Sequence, residues 1–386
     1  MRVGLFIDTF YPMVDGVINV VDNYAKNLAE FCDVTVFCPI VNKKIITDKP
    51  YKIIQCKSIP LKITEYSLPT PRFDRNFYRR LNESNLDLVH IHSPFTVGEA
   101  GKSYAKKHGV PLVATLHSQY RQDFEKSIKL KTPTNFAMNL IMKTFNSCDE
   151  CWAVNEGIKK LYEEEYGLLS PCKIRLNATD HTPLTDLETD FSDFDRCLGI
   201  EKGASVYLFV GRINYLKNIF LIVDSLAILK KKGKKFKMLF VGKGADEDRL
   251  KERVKQLNLT EDVIFLGRIT DKFSLERLYK RATLFLFPSS YDANSLVQIE
   301  SACQKTPTVF LRGAKTATGI IDGENGYLAE NDPTAFAEKI LQIESDPTLY
   351  LKVCEGAHKT LYRSWQTEIK SVYREYLRLC RKKFER

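Results

Sequence analysis

The fold of this chain is decided by the stretch Pro288-Ser-Ser-Tyr-Asp-Ala-Asn-Ser-Leu-Val-Gln-Ile-Glu-Ser-Ala-Cys303. The apolar run Ala282–Phe287 precedes it, and such a run is typical of a buried strand. Pro288 ends that strand, because proline cannot donate to the sheet ladder. Polar turn residues follow, and the pattern becomes helical from Leu296 onward. The stretch therefore predicts a strand, a loop and the first turns of a helix.

The loop of this stretch carries the polar groups that point to a ligand. Asp292, Asn294 and Ser295 are predicted to lie just before the helix N-terminus, where free backbone N–H groups and the helix dipole favour a bound anion. Glu300 follows Asp292 by eight residues, about one turn inside the helix. One carboxylate in the loop and one in the helix can hold two parts of a single ligand.

Strand and helix patterns alternate along the rest of the chain. Predicted strands are Arg2–Asp8, Asp33–Cys38, Leu86–His92, Pro111–His117, Val206–Val210, Lys237–Val241, Val263–Leu266 and Thr308–Phe310. Helices are predicted at Val17–Glu30, Arg72–Asn85, Val97–His108, Asn218–Lys231 and Asp246–Leu257. This βαβ rhythm predicts doubly wound parallel sheets. Because it occurs twice with different motifs, we predict two Rossmann-like domains.

The predicted domain boundaries follow from the composition. Residues 1–182 form a first domain, 183–203 a linker rich in Asp and Thr, and 204–359 a second domain. Residues 360–386 are predicted to form a basic amphipathic helix. The linker contains Asp193 and Asp195, a D-x-D pair that holds a metal-bound diphosphate in other folds. Within an acidic linker it is predicted to be solvated charge.

A second chemical motif begins where the strand Val206–Val210 ends. Gly211 and Arg212 follow the strand, and Lys217 lies five residues after Arg212, beside a predicted helix start. Arginine offers a rigid fork of donors and lysine a point charge, the two ways in which proteins hold phosphate. Cations here would therefore suit a ligand that carries phosphate groups. The alternative, two solvated surface cations, is disfavoured.

Two strand ends in the first half carry further candidates. His117 ends the strand Pro111–His117, at the sheet edge where ligands bind in such folds, and a histidine of the core is the alternative. Gly16 lies between the first strand and first helix, where it lets a ligand approach the backbone, although an ordinary turn glycine stays an alternative. His90 and His92 alternate on one strand. No third metal ligand follows at a suitable spacing, so a structural role is favoured.

These motifs resemble those of the retaining glycosyltransferases of family 4 (group 1), which have the GT-B fold. The pair Asp292 and Glu300 is similar to the family's E-x7-E motif, and Gly211, Arg212 and Lys217 match its G-R-x4-K. Two departures stand out: the first acid is Asp, and Ala293-Asn294-Ser295 replaces Gly-Phe-Gly. The first loop keeps only the second glycine of the family's pair. The resemblance covers nearly the whole chain and is nearest to bacterial members that form glycolipids, such as diacylglycerol glucosyltransferases.

The resemblance implies a role for each matching residue. Asp292 is expected to contact the donor sugar, Glu300 the ribose, and His117 the transferred sugar. Arg212 and Lys217 are expected to stabilise the diphosphate. The remaining nucleotide contacts are expected from Gly16, Gly211, Arg268, Asn294, Ser295 and Leu296. The implied reaction transfers a hexose, expected from a UDP-sugar, to a hydroxyl of a lipid or cell-envelope glycan, in a cleft between two domains that the last helix joins.

Composition limits the classes of partner. The 386 residues carry a net charge of +10, which favours an anionic partner, but no nucleic-acid-binding motif is present. No run of eighteen apolar residues exists, and the N-terminus reads as a strand rather than a signal peptide. Ten scattered cysteines indicate reduced thiols, and Cys148 and Cys151 are predicted to be packed thiols. We expect a cytoplasmic protein, peripheral at the inner face of the membrane, with no metal and no cofactor beyond the nucleotide sugar.

A membrane-facing surface is predicted between positions 121 and 143. Its cations are Arg121, Lys126, Lys129, Lys131 and Lys143, and the segment Phe136–Met142 supplies bulky apolar residues. Basic and apolar side chains together suit a lipid interface. A helix packed on its own domain, with solvated lysines, is an equal alternative.

Three other functions stay open. A sugar-nucleotide-binding scaffold without activity is supported by the altered loop at Asp292 and opposed by the intact Arg212, Lys217 and Glu300. A mannosyltransferase of the same fold that uses GDP-mannose would share all these motifs. An NAD-dependent enzyme would need G-x-G-x-x-G after the first strand, which this sequence lacks.

Overall fold

The computed structural model describes residues 1–13, 15–41, 46, 48–60, 67–128, 130–185 and 189–385. These residues form two compact units. The first comprises Met1–Ala178 and Trp365–Arg386, and the second comprises Thr179–Ser364. The chain therefore passes between the units twice, after Ala178 and after Ser364. These two sites lie side by side, since Thr179 pairs with Ser364 and its N–H donates to the Arg363 carbonyl at 2.9 Å.

The first unit contains nine strands and seven of the described helices. Its strands are β1 (Arg2–Phe6), β2 (Asp33–Pro39), β3 (Lys52–Cys56), β4 (Ser58–Pro60), β5 (Ser67–Pro69), β6 (Leu88–Ile91), β7 (Leu112–Leu116), β8 (Glu150–Ala153) and β9 (Cys172–Ile174). Its helices before the second unit are α1 (Gly16–Leu28), α2 (Arg75–Glu83), α3 (Thr96–His108), α4 (Tyr120–Ile128), α5 (Lys131–Phe145) and α6 (Glu156–Lys160). Seven strands make one parallel sheet in the order β3-β2-β1-β6-β7-β8-β9, and β4 and β5 pair antiparallel.

The second unit has a six-stranded parallel sheet. Its helices are α7 (Ser192–Cys197), α8 (Ile219–Lys231), α9 (Glu247–Gln256), α10 (Lys272–Arg281), α11 (Leu296–Cys303), α12 (Pro333–Ser345) and α13 (Pro347–Leu361). Its strands are β10 (Ser205–Val210), β11 (Phe236–Val241), β12 (Val263–Gly267), β13 (Leu284–Phe287), β14 (Thr308–Leu311) and β15 (Tyr327–Ala329), in the order β12-β11-β10-β13-β14-β15. The predicted pair of Rossmann-like sheets is confirmed.

The central strands are buried on both faces, as parallel strands covered by helices must be. Every residue of β10 and of β13 is buried, and both strands are almost continuously apolar. Directly after β11, Gly242 has a backbone that only glycine adopts easily (φ +131°), and a Cβ there would lie 1.9 Å from the carbonyl oxygen of Gly211, which follows β10. The glycines after β11 thus serve the packing of two neighbouring loops.

The last helix, α14 (Trp365–Phe384), returns to the first unit as predicted, but it begins later than position 360. Residues up to Leu361 belong to α13, and the chain is extended where Ser364 pairs with Thr179. Helix α14 packs against α1. The Trp365 ring lies edge-on to Tyr24, with ring centroids 5.0 Å apart, and the Arg175 guanidinium pairs with Glu375 at 3.1 Å.

Residues 183–203, which the sequence predicts as a linker, are not a separate segment between the two units. The segment belongs to the second unit, and Asp195 of α7 accepts two hydrogen bonds from Arg281, at 2.7 and 2.9 Å. Asp193 pairs with Arg196 at 2.6 Å. Both acids of the D-x-D pair therefore neutralise arginines of their own unit.

Candidate functional site

The second unit has a topological switch point between β10 and β13. These strands are neighbours, but the chain leaves β10 toward β11 on one side and later returns to β13 on the other. Ligands of open parallel sheets bind beyond the carboxyl ends of the strands at this place. Arg212 follows β10 and Asp292 follows β13, so the topology brings both sequence motifs to one edge of the sheet.

The two motifs meet in an ion pair between Lys217 and Asp292. Lys217 lies in a short 3-10 turn, Tyr215–Lys217, and its Nζ is also 5.7 Å from the centre of the Phe287 ring. Its side chain is 15% exposed and that of Asp292 18% exposed. Two partly desolvated charges attract more strongly than surface charges do. The predicted phosphate-binding cation and sugar-binding carboxylate are therefore in direct contact.

Arg212 and Arg268 lie at the same edge of the sheet. Arg212 comes two residues after the end of β10, and Arg268 directly after the end of β12. Both side chains are exposed. With Lys217, they place three cations beyond the carboxyl ends of this sheet, which suits a diphosphate or a nucleotide.

The N-terminus of α11 lies at the same edge of the sheet, directly after the loop that carries Asp292. Ser295 is its N-cap residue and makes no capping hydrogen bond with its side chain. The Asn294 side chain is instead held one turn further on, where its Oδ1 accepts a hydrogen bond from Gln298 Nε2 at 2.7 Å. Leu296 is the first helical residue. The first N–H groups of this helix are suited to bind an anion.

Glu300 lies further along α11, half-buried. Tyr279 of α10 donates a hydrogen bond to its Oε2 at 2.8 Å. Desolvation raises the pKa of Glu300 to about 7, although the bond from Tyr279 lowers it. A carboxylate in this position is stabilised by further donors, such as the hydroxyls of a ribose. Tyr279 was not predicted from the sequence, because nothing in its helical pattern separates it from a core tyrosine.

A stability measurement tests this environment of Glu300. The unfolded carboxyl ionises near 4.5 and the folded one near 7, so the unfolded state loses its proton first and stability falls as pH rises between these values. We expect Glu300→Gln to raise the free energy of unfolding at pH 8 by about 1 to 3 kcal/mol. The glutamine oxygen can still accept from Tyr279.

Urea unfolding at pH 8 and at pH 4 measures this difference. Most of the gain should be lost at pH 4, which lies below both pKa values, so that the wild-type carboxyl is largely protonated in both states. The matched control is Glu252→Gln on the exposed face of α9, which should change stability by less than about 0.5 kcal/mol at either pH. A loss of stability in Glu300→Gln at pH 8 would contradict the raised pKa.

In the first unit, the carboxylate of Asp8 occupies the corresponding switch point, between β1 and β6. Asp8 follows β1, and its carboxylate accepts hydrogen bonds from the backbone N–H groups of Val97 (2.7 Å) and Gly98 (3.2 Å) at the start of α3. The hydroxyls of Ser93 and Thr96 also donate to it. Burial raises its pKa, and these four donors oppose that effect. The sequence analysis missed Asp8, although an acid directly after the first strand was the available signal.

Gly16 and His117 lie at the same edge of the first sheet. Gly16 begins α1 after its N-cap Asp15, and a Cβ at this position would meet no protein atom within 4 Å. Packing therefore does not require the glycine, which agrees with space kept for a ligand. His117 follows β7, is 9% exposed, and its Nε2 lies 3.0 Å from Nδ1 of His92.

His90, Cys148 and Cys151 have structural surroundings. His90 is held through Nδ1 by the Tyr376 hydroxyl (2.6 Å) and through Nε2 by that of Thr115 (2.7 Å). Cys148 and Cys151 are buried free thiols. In the described part of the chain, no group of three or more His, Cys, Asp or Glu side chains is arranged to hold a metal ion.

The predicted membrane-facing segment divides into two helices, α4 and α5. On α5, Met138, Ile141 and Met142 are buried, whereas Phe136 (65% exposed) and Leu140 (53% exposed) face outward with Lys143. The segment 136–142 is thus apolar on both faces rather than one exposed patch. The side chains of Lys126, Lys129 and Lys131 lie outside the described residues. None of the described helices is long and apolar enough to span a membrane.

Comparison with known families identifies the class of protein. The model of glycosyl transferases group 1 matches residues 190–360, and that of glycosyltransferase family 4 matches residues 14–178. These matches divide between the two units and together take in most of the chain. The chain belongs to the group 1 and family 4 glycosyltransferases, which confirms the resemblance found in the motifs.

Individual relatives and solved structures agree with this class. The alpha-monoglucosyldiacylglycerol synthase of Acholeplasma laidlawii is 25% identical over 363 residues, 90% of this chain and 89% of the relative. That of Streptococcus pneumoniae is 24% identical over 318 residues, 80% and 70% of the two chains. Sucrose-phosphate synthase from Thermosynechococcus elongatus superimposes with a TM-score of 0.82 at 18% identity, over 98% of both chains. The fold is GT-B, as predicted.

Proposed function

We propose that this glycosyltransferase moves a hexose from a UDP-sugar to a hydroxyl of a lipid acceptor, with retention of configuration at the anomeric carbon. The observation that carries the proposal is the pairing of Lys217 with Asp292 at the switch point of the second sheet. A cation for the diphosphate and a carboxylate for the sugar must be neighbours, because the sugar is bonded to the terminal phosphate.

The chemistry follows from these groups. The bond between the anomeric carbon and the phosphate oxygen breaks, and its electron pair stays on the departing UDP. Arg212 and Lys217 stabilise the charge that develops there. The acceptor oxygen then bonds to the same face of the sugar and gives its proton to the leaving phosphate. Asp292 orients the donor sugar, Glu300 accepts from the ribose, and His117 contacts the transferred sugar.

The lipid acceptor is supported by two observations. Two relatives are named as alpha-monoglucosyldiacylglycerol synthases, that is, as enzymes that make a glucosylated diacylglycerol, and each alignment covers 80% or more of this chain. The outward-facing Phe136, Leu140 and Lys143 of α5 form an apolar and basic surface of the kind that binds at a lipid interface. A UDP-sugar donor is in keeping with the fold match to Anabaena HepE, solved in complex with UDP-glucose (TM-score 0.75, 15% identity).

A donor and acceptor screen tests the proposal. Nucleotide release would be measured for UDP- and GDP-hexoses, with and without dioleoylglycerol in mixed micelles, using Arg212→Ala/Lys217→Ala as the inactive control. The proposal expects lipid-dependent release of UDP and a product whose anomeric proton coupling equals that of the donor. Turnover with GDP-mannose alone would favour the mannosyltransferase, and UDP binding without turnover would favour the scaffold.

Metal independence is a separate prediction. Arg212 and Lys217 supply positive charge where a metal ion would otherwise neutralise the diphosphate. We therefore expect turnover in excess EDTA to stay within about twofold of its value in buffer. Complete loss of activity, restored by manganese or magnesium, would contradict this prediction.

Binding to membranes is predicted through the outer face of α5. Each cation near an anionic surface contributes about 1 kcal/mol, so Lys143→Glu should lower vesicle binding by roughly fivefold or more. Phe136→Ser/Leu140→Ser should lower it at least as much, because two exposed apolar side chains are lost.

Cosedimentation with vesicles of phosphatidylglycerol and phosphatidylcholine measures this binding, and rising salt should weaken it. The matched control is Leu351→Ser, since Leu351 is 63% exposed on a helix of the second unit. Equal binding of the wild type to neutral and anionic vesicles would count against the surface.

A further inference from the structure

His92 and His117 form a pair of buried imidazoles at the carboxyl edge of the first sheet. His92 follows β6 and His117 follows the neighbouring strand β7. Their rings are stacked at 24°, with centroids 5.3 Å apart, and His92 Nδ1 lies 3.0 Å from His117 Nε2. This bond takes up one of the two nitrogens of His117, the residue assigned above to the transferred sugar.

The other ring nitrogen of His117, Nδ1, is therefore the one that can contact a ligand. Among the described residues Nδ1 of His117 has no hydrogen-bond partner, and 9% of the residue remains accessible. A ring held through Nε2 and stacked on its neighbour has a fixed orientation. The hydrogen bond of one imidazole nitrogen also decides which nitrogen carries the proton.

The surroundings of His92 explain why a histidine occupies this position. His92 is 1% exposed, and in the described part of the chain its Nε2 has no partner, so the bond to His117 is its one polar side-chain contact. An apolar side chain would fill the same volume without the cost of burying an unpaired polar atom. The hydrogen bond to His117 is therefore the reason that we infer for a histidine at position 92.

Both rings are expected to be neutral at pH 7, because burial disfavours the charged imidazolium. Burial lowers the pKa of His117 to about 3 and that of His92 well below its usual range. Two neutral imidazoles share one proton in their hydrogen bond, so one nitrogen donates and the other accepts. Since Nε2 of His92 is buried without a partner among the described residues, the favoured tautomer leaves that nitrogen unprotonated and places the proton on Nδ1, which donates to Nε2 of His117. The proton of His117 is then on Nδ1, the nitrogen that faces a ligand.

We propose that His92 is a positioning residue, which holds His117 in one orientation and one tautomer through the bond from Nδ1 to Nε2. This inference rests on the proposed function, because it takes the transferred sugar to be the ligand of His117. His92 contacts no reacting atom, so it acts through His117 alone.

The test compares two replacements of His92. In His92→Asn, the amide nitrogen lies close to the original Nδ1 position and can keep the bond, whereas His92→Leu removes it. We expect His92→Leu to lower kcat about tenfold, with the KM for the donor changed by less than about twofold, because misplacement of a catalytic group acts on the transition state. His92→Asn should restore kcat to within about threefold of the wild type.

His90→Leu is the matched control. It removes a buried imidazole from the same strand, but one that bonds Tyr376 and Thr115 instead of His117. Melting temperatures of all variants would show whether each is folded. Equal kcat values for His92→Leu and His90→Leu at matched folded fractions would reduce His92 to a packing role and overturn the proposal.

Nitrogen NMR of the histidine rings tests the contact without any turnover. In the wild type and in His92→Asn, the two ring nitrogens of His117 should have the well-separated shifts of one neutral tautomer. In His92→Leu they should move toward each other, as the two tautomers exchange. Unchanged His117 shifts in His92→Leu would overturn the proposal. Absence of transfer to any acceptor would instead refute the proposed function and leave these spectra informative.

Discussion

Replacing Lys217 or Arg212 with alanine is expected to lower kcat by on the order of 100-fold or more. Each side chain supplies positive charge at the edge of the sheet where the proposed leaving diphosphate gathers negative charge. The loss should appear in kcat more than in the KM for the donor, since that charge is larger in the transition state than in the bound donor.

Steady-state turnover with the preferred donor measures this effect, with circular dichroism as the check on folding. Lys230→Ala is the matched control, because Lys230 lies at the far end of α8 and pairs with Asp262 at 2.7 Å. It should turn over like the wild type. Activity within a factor of about two for both Arg212→Ala and Lys217→Ala would end the proposed mechanism.

Asp292→Asn is the second change with a large expected effect, a loss of kcat/KM on the order of 100-fold. The amide offers one acceptor oxygen where the carboxylate has two, and it no longer neutralises Lys217. Asp292→Glu keeps the charge but moves it by roughly 1.5 Å, one methylene further from the backbone. We expect it to lower activity with the native donor and to change the preference among hexoses, since about 1 Å of misplacement can cost 100-fold.

The decisive measurement is kcat/KM of both variants over a panel of UDP- and GDP-sugars. The double variant Lys217→Ala/Asp292→Asn completes a cycle with the single ones. Because the two side chains are in contact, the effects should be strongly non-additive. If Asp292→Asn equals the wild type with every donor that is turned over, Asp292 does not orient the sugar, and the scaffold alternative gains support.

Much of the fold could be predicted because buried parallel strands carry an unmistakable apolar pattern. The run Leu284–Phe287 is buried throughout and is followed by a proline, so both its identity and its end are readable. The short strands β4 and β5 were missed, since each is three residues long and partly exposed. The start of α14 was placed too early because Leu361 continues the apolar spacing, although it belongs to the preceding helix.

The candidate site was predicted residue by residue, but not as a set of contacts. The positions of the motifs after β10 and β13 predict that Lys217 and Asp292 lie at the same edge of the sheet. They do not predict that the two side chains are in contact. The bond between His92 and His117 was missed for the same reason: it joins residues 25 apart on neighbouring strands. Side-chain contacts across strands depend on register, which local patterns do not determine.

The carboxylate of Asp8 makes the two sheets unlike in the charge that they admit. At the first sheet it accepts hydrogen bonds from the N–H groups that begin α3, whereas the side chain of Ser295 makes no capping hydrogen bond at the start of α11. A second nucleotide would have to displace a carboxylate with four donors at the first sheet. We therefore expect a diphosphate to bind at the second sheet and to be disfavoured at the first.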